Sequence, residues 1–202
     1  MVAIIDYGVG NLFSLQSSLK AVGAEAVVTA DEKIIAAADR VILPGVGAFG
    51  DAAAKLRESG MAEVVRREAA AGKPLLGICL GMQLMFDKGY EYGEHDGLGL
   101  IHGSVRPIAE AIPEGFKIPH IGWNALTMVG DSHPLFRYIR EGDHVYFVHS
   151  YYATDCDAVI ATAEYGAPLT AAVAAGNVCG CQFHPEKSGN TGLEILRAFN
   201  EL

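Results

Sequence analysis

Short, nearly continuous apolar runs alternating with amphipathic stretches constrain this chain more than any other feature. Val2 to Ile5, Ala26-Val27-Val28, Val41-Ile42-Leu43 and Leu75-Leu76-Gly77-Ile78 are too short for helices and too uniformly apolar for strands with one wet face. Between them, Leu12, Leu15, Leu19 and Val22 recur at helical spacing until Gly23, and Asp31 to Ala38 reads as a second helix. Met61, Val64, Val65 and Ala69 form a further helical stripe closed by Gly72 and Pro74, and a helix from about Leu80 to Phe86 follows the fourth strand at once. Strands buried on both faces and separated by helices specify an α/β fold with a mostly parallel central sheet.

From about Leu98 to Phe183 the pattern changes to strand-like runs, such as His144 to Val148 and Ala158 to Ala163, divided by Gly, Pro and Asp turns. This predicts an antiparallel extension of the sheet. A last amphipathic helix, about Thr191 to Leu202, carries Leu193, Leu196 and Phe199 on one side. With 202 residues, no linker and no repeat, a single domain over 1–202 is expected.

A formal charge of −9 without a Lys/Arg cluster argues against nucleic acid and against an anionic membrane surface. No segment is long and apolar enough to span a bilayer, and Asp6 interrupts the N-terminal apolar run with no basic flank, so neither a membrane anchor nor a signal peptide is expected. The composition reads as that of a cytoplasmic protein. The four cysteines suggest no disulfide framework. Cys179 and Cys181 lack a second ligand pair nearby and read as small core residues, so no metal is expected.

Gly77-Ile78-Cys79-Leu80-Gly81 places a cysteine at a tight strand-to-helix turn, the thiol counterpart of the G-x-S-x-G elbow. The glycines permit close backbone packing and leave the sulfur at the carboxyl edge of the sheet, facing the first N–H groups of the following helix. A plain core cysteine would fit the same pentapeptide. His184-Pro185-Glu186 supplies the other members of a nucleophile, base and orienting-acid set, since an extended residue before Pro puts His184 and Glu186 on one side of the chain. Among the other histidines, His95, His102, His133 and His144 lie in turn-like segments and read as solvated. His120 and His149 flank distinctive runs and read either as site or as core residues. Gly8-Val9-Gly10 lacks the third glycine of a dinucleotide fingerprint, position 13 being Phe13, so NAD binding is not expected.

With Cys79, His184 and Glu186 in place, the chain resembles the class I (triad) glutamine amidotransferases, on the elbow with Leu80-Gly81-Met82-Gln83 and on Gln182 to Ser188. Within them it is similar to the glutaminase subunits of imidazole glycerol phosphate synthases. That narrower likeness rests on Asp6 to Asn11, Pro44-Gly45-Val46-Gly47-Ala48-Phe49, Pro119 to Asn124 and Phe147 to Tyr152. The resemblance implies a flavodoxin-like amidotransferase fold, no cofactor, and hydrolysis of L-glutamine through a Cys79 thioester. It also implies ammonia transfer to a (β/α)8-barrel cyclase in a heterodimer serving histidine biosynthesis. By the same likeness, Leu80 and an amide of Val46 or Gly47 form the oxyanion hole. Gly47, Gln83, Glu91, Ser150 and Tyr151 hold glutamine, and Asn11, Trp123 and Lys187 face the cyclase.

Two other readings make separate demands. Subunits of other amidotransferases would keep the elbow and H-P-E but not Asp6 to Asn11 and Pro119 to Asn124 in these forms. A catalytically silent, flavodoxin-like binding module would use none of the Cys/His/Glu set.

Overall fold

A computed structural model describes residues 1–202. The first half follows the alternating pattern: β1 (Val2–Ile5), α1 (Leu12–Ala21), β2 (Ala26–Thr29), α2 (Glu32–Ala37), β3 (Arg40–Leu43), α3 (Phe49–Glu58), α4 (Met61–Ala70), β4 (Leu75–Ile78) and α5 (Leu80–Gln83). The second half is mostly strands: β5 (Phe86–Gly89), β6 (His95–Asp96), β7 (Ile101–Pro107), β8 (His120–Ala125), β9 (Thr127–Met128), β10 (His144–His149), β11 (Tyr151–Thr154), β12 (Val159–Glu164), β13 (Pro168–Ala175) and β14 (Val178–Cys181), before α6 (Gly189–Asn200).

The main sheet runs β2-β1-β3-β4-β14-β13-β12-β9. Its first five strands pair in parallel, and β13, β12 and β9 continue it antiparallel, the extension expected from the sequence. Both faces are buried, and successive residues of a strand enter opposite cores. Ala3 and Ile5 of β1 point into a core with Ile35, Phe49, Leu56, Met61 and Val65 from α2, α3 and α4. Val2 and Ile4 point into a second core with Leu15, Leu19, Ile195, Leu196 and Phe199 from α1 and α6. Each fully buried large side chain there contributes about 1.5–3 kcal/mol by leaving water.

Three features depart from the sequence pattern. The helix expected over Leu80 to Phe86 stops at Gln83, because the carbonyls of Leu84 and Met85 accept from Leu98, Leu100 and Ile101 instead of extending it. The strand-rich half is not one extension: β11-β7-β5-β6 and β10-β8 form separate sheets. Helix α3 was not predicted, since its buried stripe of Phe49, Ala52, Ala53 and Leu56 owes two of four positions to alanine. Cys179 and Cys181 are core residues, whereas His95 is not solvated: it is half-buried, stacks on Phe49 and hydrogen-bonds the Glu91 carbonyl at 3.1 Å.

Candidate active site

The site sits where β4 and β14 end side by side, in the parallel register Cys181↔Ile78. Cys79 follows β4 with φ 54° and ψ −114°, a region that costs an L-residue on the order of 1–3 kcal/mol. Its N–H donates to the Cys181 carbonyl at 2.8 Å, tying the elbow to the neighbouring strand. The glycines beside it are packing requirements: a Cβ on Gly81 would lie 1.9 Å from the Leu43 carbonyl oxygen, and one on Gly77 would lie 2.7 Å from the Met82 Cα. Helix α5 is a single turn, so its macrodipole contributes little to Cys79, and the side chains around the sulfur are His184 and Gln182.

His184 follows β14 and is fixed from three directions. Its N–H donates to the Tyr146 carbonyl of β10 at 3.0 Å, while its own carbonyl accepts from the Ser188 hydroxyl at 2.6 Å. The Tyr146 N–H donates to the same hydroxyl at 2.9 Å. Nδ1 of the ring stands 2.8 Å from Glu186 Oε1, and both side chains are nearly inaccessible to solvent. Cys79 lines the same cavity and lies close enough to raise the ring's proton affinity. Burial works against an imidazolium here, but hydrogen bonds and charge from Cys79 and Glu186 outweigh it and hold the His184 pKa up at about 9.

A cavity of about 300 Å³ opens over the sulfur. Of the residues singled out in the sequence, Val46, Gly47, Cys79, Leu80, Gln83, Glu91, His149, Ser150, Tyr151, His184 and Lys187 line it together, whereas His120 lies buried outside it. Glu186 lies behind His184 and faces a smaller cleft shared with Asn11, Gly45 and Val46. Gln83 Nε2 donates to the Tyr151 carbonyl at 3.1 Å, and Glu91 Oε2 accepts the Phe49 N–H at 2.7 Å, where α3 begins. Trp123 is half exposed, and both it and the Lys187 ammonium approach the Tyr146 ring, at 6.0 and 5.9 Å.

Sequence reasoning assigned no role to Tyr7 or Gln182. The buried Tyr7 hydroxyl donates to the Pro44 carbonyl at 2.8 Å, anchoring the Gly45-Val46-Gly47 segment. Burial and the nearby Cys79 push its own ionisation well above the usual phenol range. Gln182 is fully buried, and its Nε2 reaches Cys79 Sγ at 3.7 Å. A glutamine in an otherwise apolar strand end was the available signal for it.

The glutamine amidotransferase class-I family matches residues 3–201, and the chain belongs to that family. It is 50% identical to the imidazole glycerol phosphate synthase subunit HisH of Caldanaerobacter subterraneus subsp. tengcongensis, over 100% of this chain and 98% of the relative. It is 48% identical to the subunit of the same name from Sulfurimonas denitrificans, again over 100% and 98%. A crystal structure of a glutamine amidotransferase superposes with a TM-score of 0.76 at 20% identity, covering 100% of both chains, which speaks to the fold.

Proposed function

We propose that this chain is the glutaminase subunit of an imidazole glycerol phosphate synthase. In this reading it is one cytoplasmic domain that hydrolyses L-glutamine and hands ammonia to a (β/α)8-barrel cyclase in a heterodimer. The observation that carries the chemistry is His184, hydrogen-bonded to Glu186, opening with Cys79 onto one cavity. Cys79 Sγ attacks the amide carbon, and the charge that develops on the oxygen meets the Leu80 N–H and an amide of Val46 or Gly47. His184 gives its proton to the departing ammonia as the C–N bond breaks, leaving a glutamyl thioester. It then takes a proton from water, whose oxygen attacks the thioester carbon, and returns one to the leaving sulfur as glutamate is released. Glu186 keeps the ring oriented and stabilises its charged form.

Gly47, Gln83, Ser150 and Tyr151 hold the amino-acid end of the substrate, and Glu91 offers its remaining oxygen, Oε1, to the ammonium group. Asn11, Trp123 and Lys187 lie toward the cyclase. Exposed apolar side chains beside them support that orientation: Phe13 two residues beyond Asn11, Val46 at the cavity, and Ile121 on the same strand face as Trp123. The 45–47 segment responds to the partner, so the lone chain is nearly inactive, and cyclase with its ribotide raises turnover on the order of 10²-fold, about the worth of one oxyanion donor.

Glutamate release, measured with and without the barrel cyclase and its ribotide substrate, tests the reading. Cys79→Ala is expected to abolish it while leaving turnover with added ammonium salt. Glutamine-dependent activity in that variant would overturn the nucleophile, and equal rates for the lone chain and the complex would overturn the control by the partner.

A further inference from the structure

A buried chain of polar groups connects β8 to the nucleophile, and the mechanism above leaves its far half unused. Asn124 Oδ1 lies 2.7 Å from His120 Nε2, His120 Nδ1 lies 3.0 Å from His149 Nε2, and His149 Nδ1 lies 2.8 Å from the Tyr151 carbonyl oxygen. That oxygen also accepts from Gln83 Nε2, which reaches Gln182 Oε1 at 2.9 Å, and Gln182 Nε2 in turn approaches Cys79. His120 is 1% exposed and His149 6%.

The protons along this chain can be counted. The Tyr151 oxygen only accepts, so His149 Nδ1 carries a hydrogen. The Asn124 amide is oriented by its other contact: Nδ2 donates to the Glu164 carbonyl at 2.9 Å, and exchanging the two atoms would set oxygen against oxygen. Asn124 therefore presents an acceptor to His120, and His120 Nε2 carries a hydrogen too. A neutral imidazole has one N–H. Two neutral rings have now used both of theirs, and the nitrogens left over would meet lone pair to lone pair at 3.0 Å. Three contacts need three protons on two rings.

We propose that His120 and His149 share one additional proton, and that this proton fixes the Tyr151 carbonyl and with it the Ser150–Tyr151 wall of the cavity. With the proton in place all three contacts are made. When it leaves, one contact opens and the wall loses its anchor. Both histidines are positioning residues: His120 acts through His149, and His149, which borders the cavity, holds the Tyr151 carbonyl; the inference rests on reading the cavity as the glutamine site.

The surroundings pull the proton both ways. Burial opposes charge on each ring and pushes both His149 and His120 below the ordinary imidazole value. The Tyr151 carbonyl favours charge on His149 and Asn124 favours it on His120, while charge on His184 opposes it at His149. The rings of Tyr165 and Phe147 stack on His120 with centroids 4.0 and 5.0 Å away, a setting that favours a cation on that ring. The Tyr165 hydroxyl is turned to the Lys117 carbonyl, and neither imidazole has a carboxylate as a hydrogen-bond partner. The pair therefore titrates as one unit.

Nitrogen shifts of the full chain labelled with 15N-histidine, followed from pH 5 to 9 and assigned with His120→Gln and His149→Gln, read the proton directly. The expected result is a single coupled step: three N–H groups on the pair at the acid side, two at the basic side. One fixed N–H on each ring across the whole range, or two independent titrations, overturns the proposal. In the complex with cyclase, KM for glutamine is expected to rise about tenfold through that step, the worth of about one hydrogen bond, with kcat changing less. His120→Gln offers His149 a neutral donor and is expected to flatten the KM step. Identical KM–pH curves for parent and variant overturn the positioning role. A complex that hydrolyses no glutamine at any pH sinks the glutaminase reading instead, and the nitrogen shifts still decide the shared proton.

Discussion

Removing the sulfur of Cys79 should change the acid–base behaviour of His184 as well as abolish chemistry. Burial alone would push the ring below its ordinary value of 6.5, and Cys79 and Glu186 together hold it at about 9. A displacement of that size corresponds to about 3 kcal/mol in favour of the imidazolium. Because the folded value lies above the unfolded one, this stabilisation is fully present below about pH 6.5 and is lost as the pH rises toward 9. In Cys79→Ala one of the two supporting groups is gone while burial persists. His184 should then titrate at least about one unit lower, a change of about 1.4 kcal/mol, and the pH-dependent loss of stability should shrink and move toward neutral pH. Ring-proton NMR of His184 in parent and variant measures the first effect, and urea denaturation at several values between pH 6 and 9 measures the second. A His184 titration that stays near 9 without the sulfur would refute the assignment of Cys79 as a supporting partner.

Glu186→Gln is expected to lower glutamine turnover less than His184→Ala, because an amide still holds Nδ1 but does not stabilise the charged ring; steady-state glutaminase assays on the two variants rank them. Tyr7→Phe strands the buried Pro44 carbonyl, and thermal or urea denaturation should show a loss of about 1–3 kcal/mol. Its 45–47 segment should also be freer, read as a change in the ratio of activities with and without cyclase. Gly81→Ala drives a Cβ to 1.9 Å from the Leu43 carbonyl oxygen, so the elbow or β3 must move. Such overpacking costs about 1–3 kcal/mol or more, and labelling of Cys79 by a glutamine-analogue affinity reagent should fall with it.

Large apolar residues made the fold legible. The four parallel strands of the first half and the stripes of α1 and α4 show because Val, Ile and Leu recur there with a clear period. Helix α3 does not, since alanine signals burial weakly, and the run from Leu80 to Phe86 misleads because, apart from Gly81 and Gln83, it is continuously apolar and has no period to read. The candidate site was visible as motifs, while its arrangement was not. Nothing local reveals that β14 lies against β4 or that Glu91 meets the first N–H of α3. His120 and His149 stayed ambiguous for the same reason: their meaning depends on the antiparallel register of β8 and β10, which sets them opposite each other. Tyr7 acts through one long-range hydrogen bond and Gln182 through two, to Gln83 and Cys79, and no spacing rule encodes them.

The adjacency of β4 and β14 also bears on how the protein is made. During synthesis the elbow emerges with all of β1 to α5, yet the strand that carries the imidazole into place is the last of the sheet to be translated. Until β14 inserts between β4 and β13, Cys79 has neither its partner ring nor the Cys181 carbonyl that anchors its backbone. A nascent or truncated chain would thus present an ordinary thiol, and reactivity would appear only when the sheet closes around its final central strand. Affinity labelling of Cys79 would therefore report completed folding of the whole sheet.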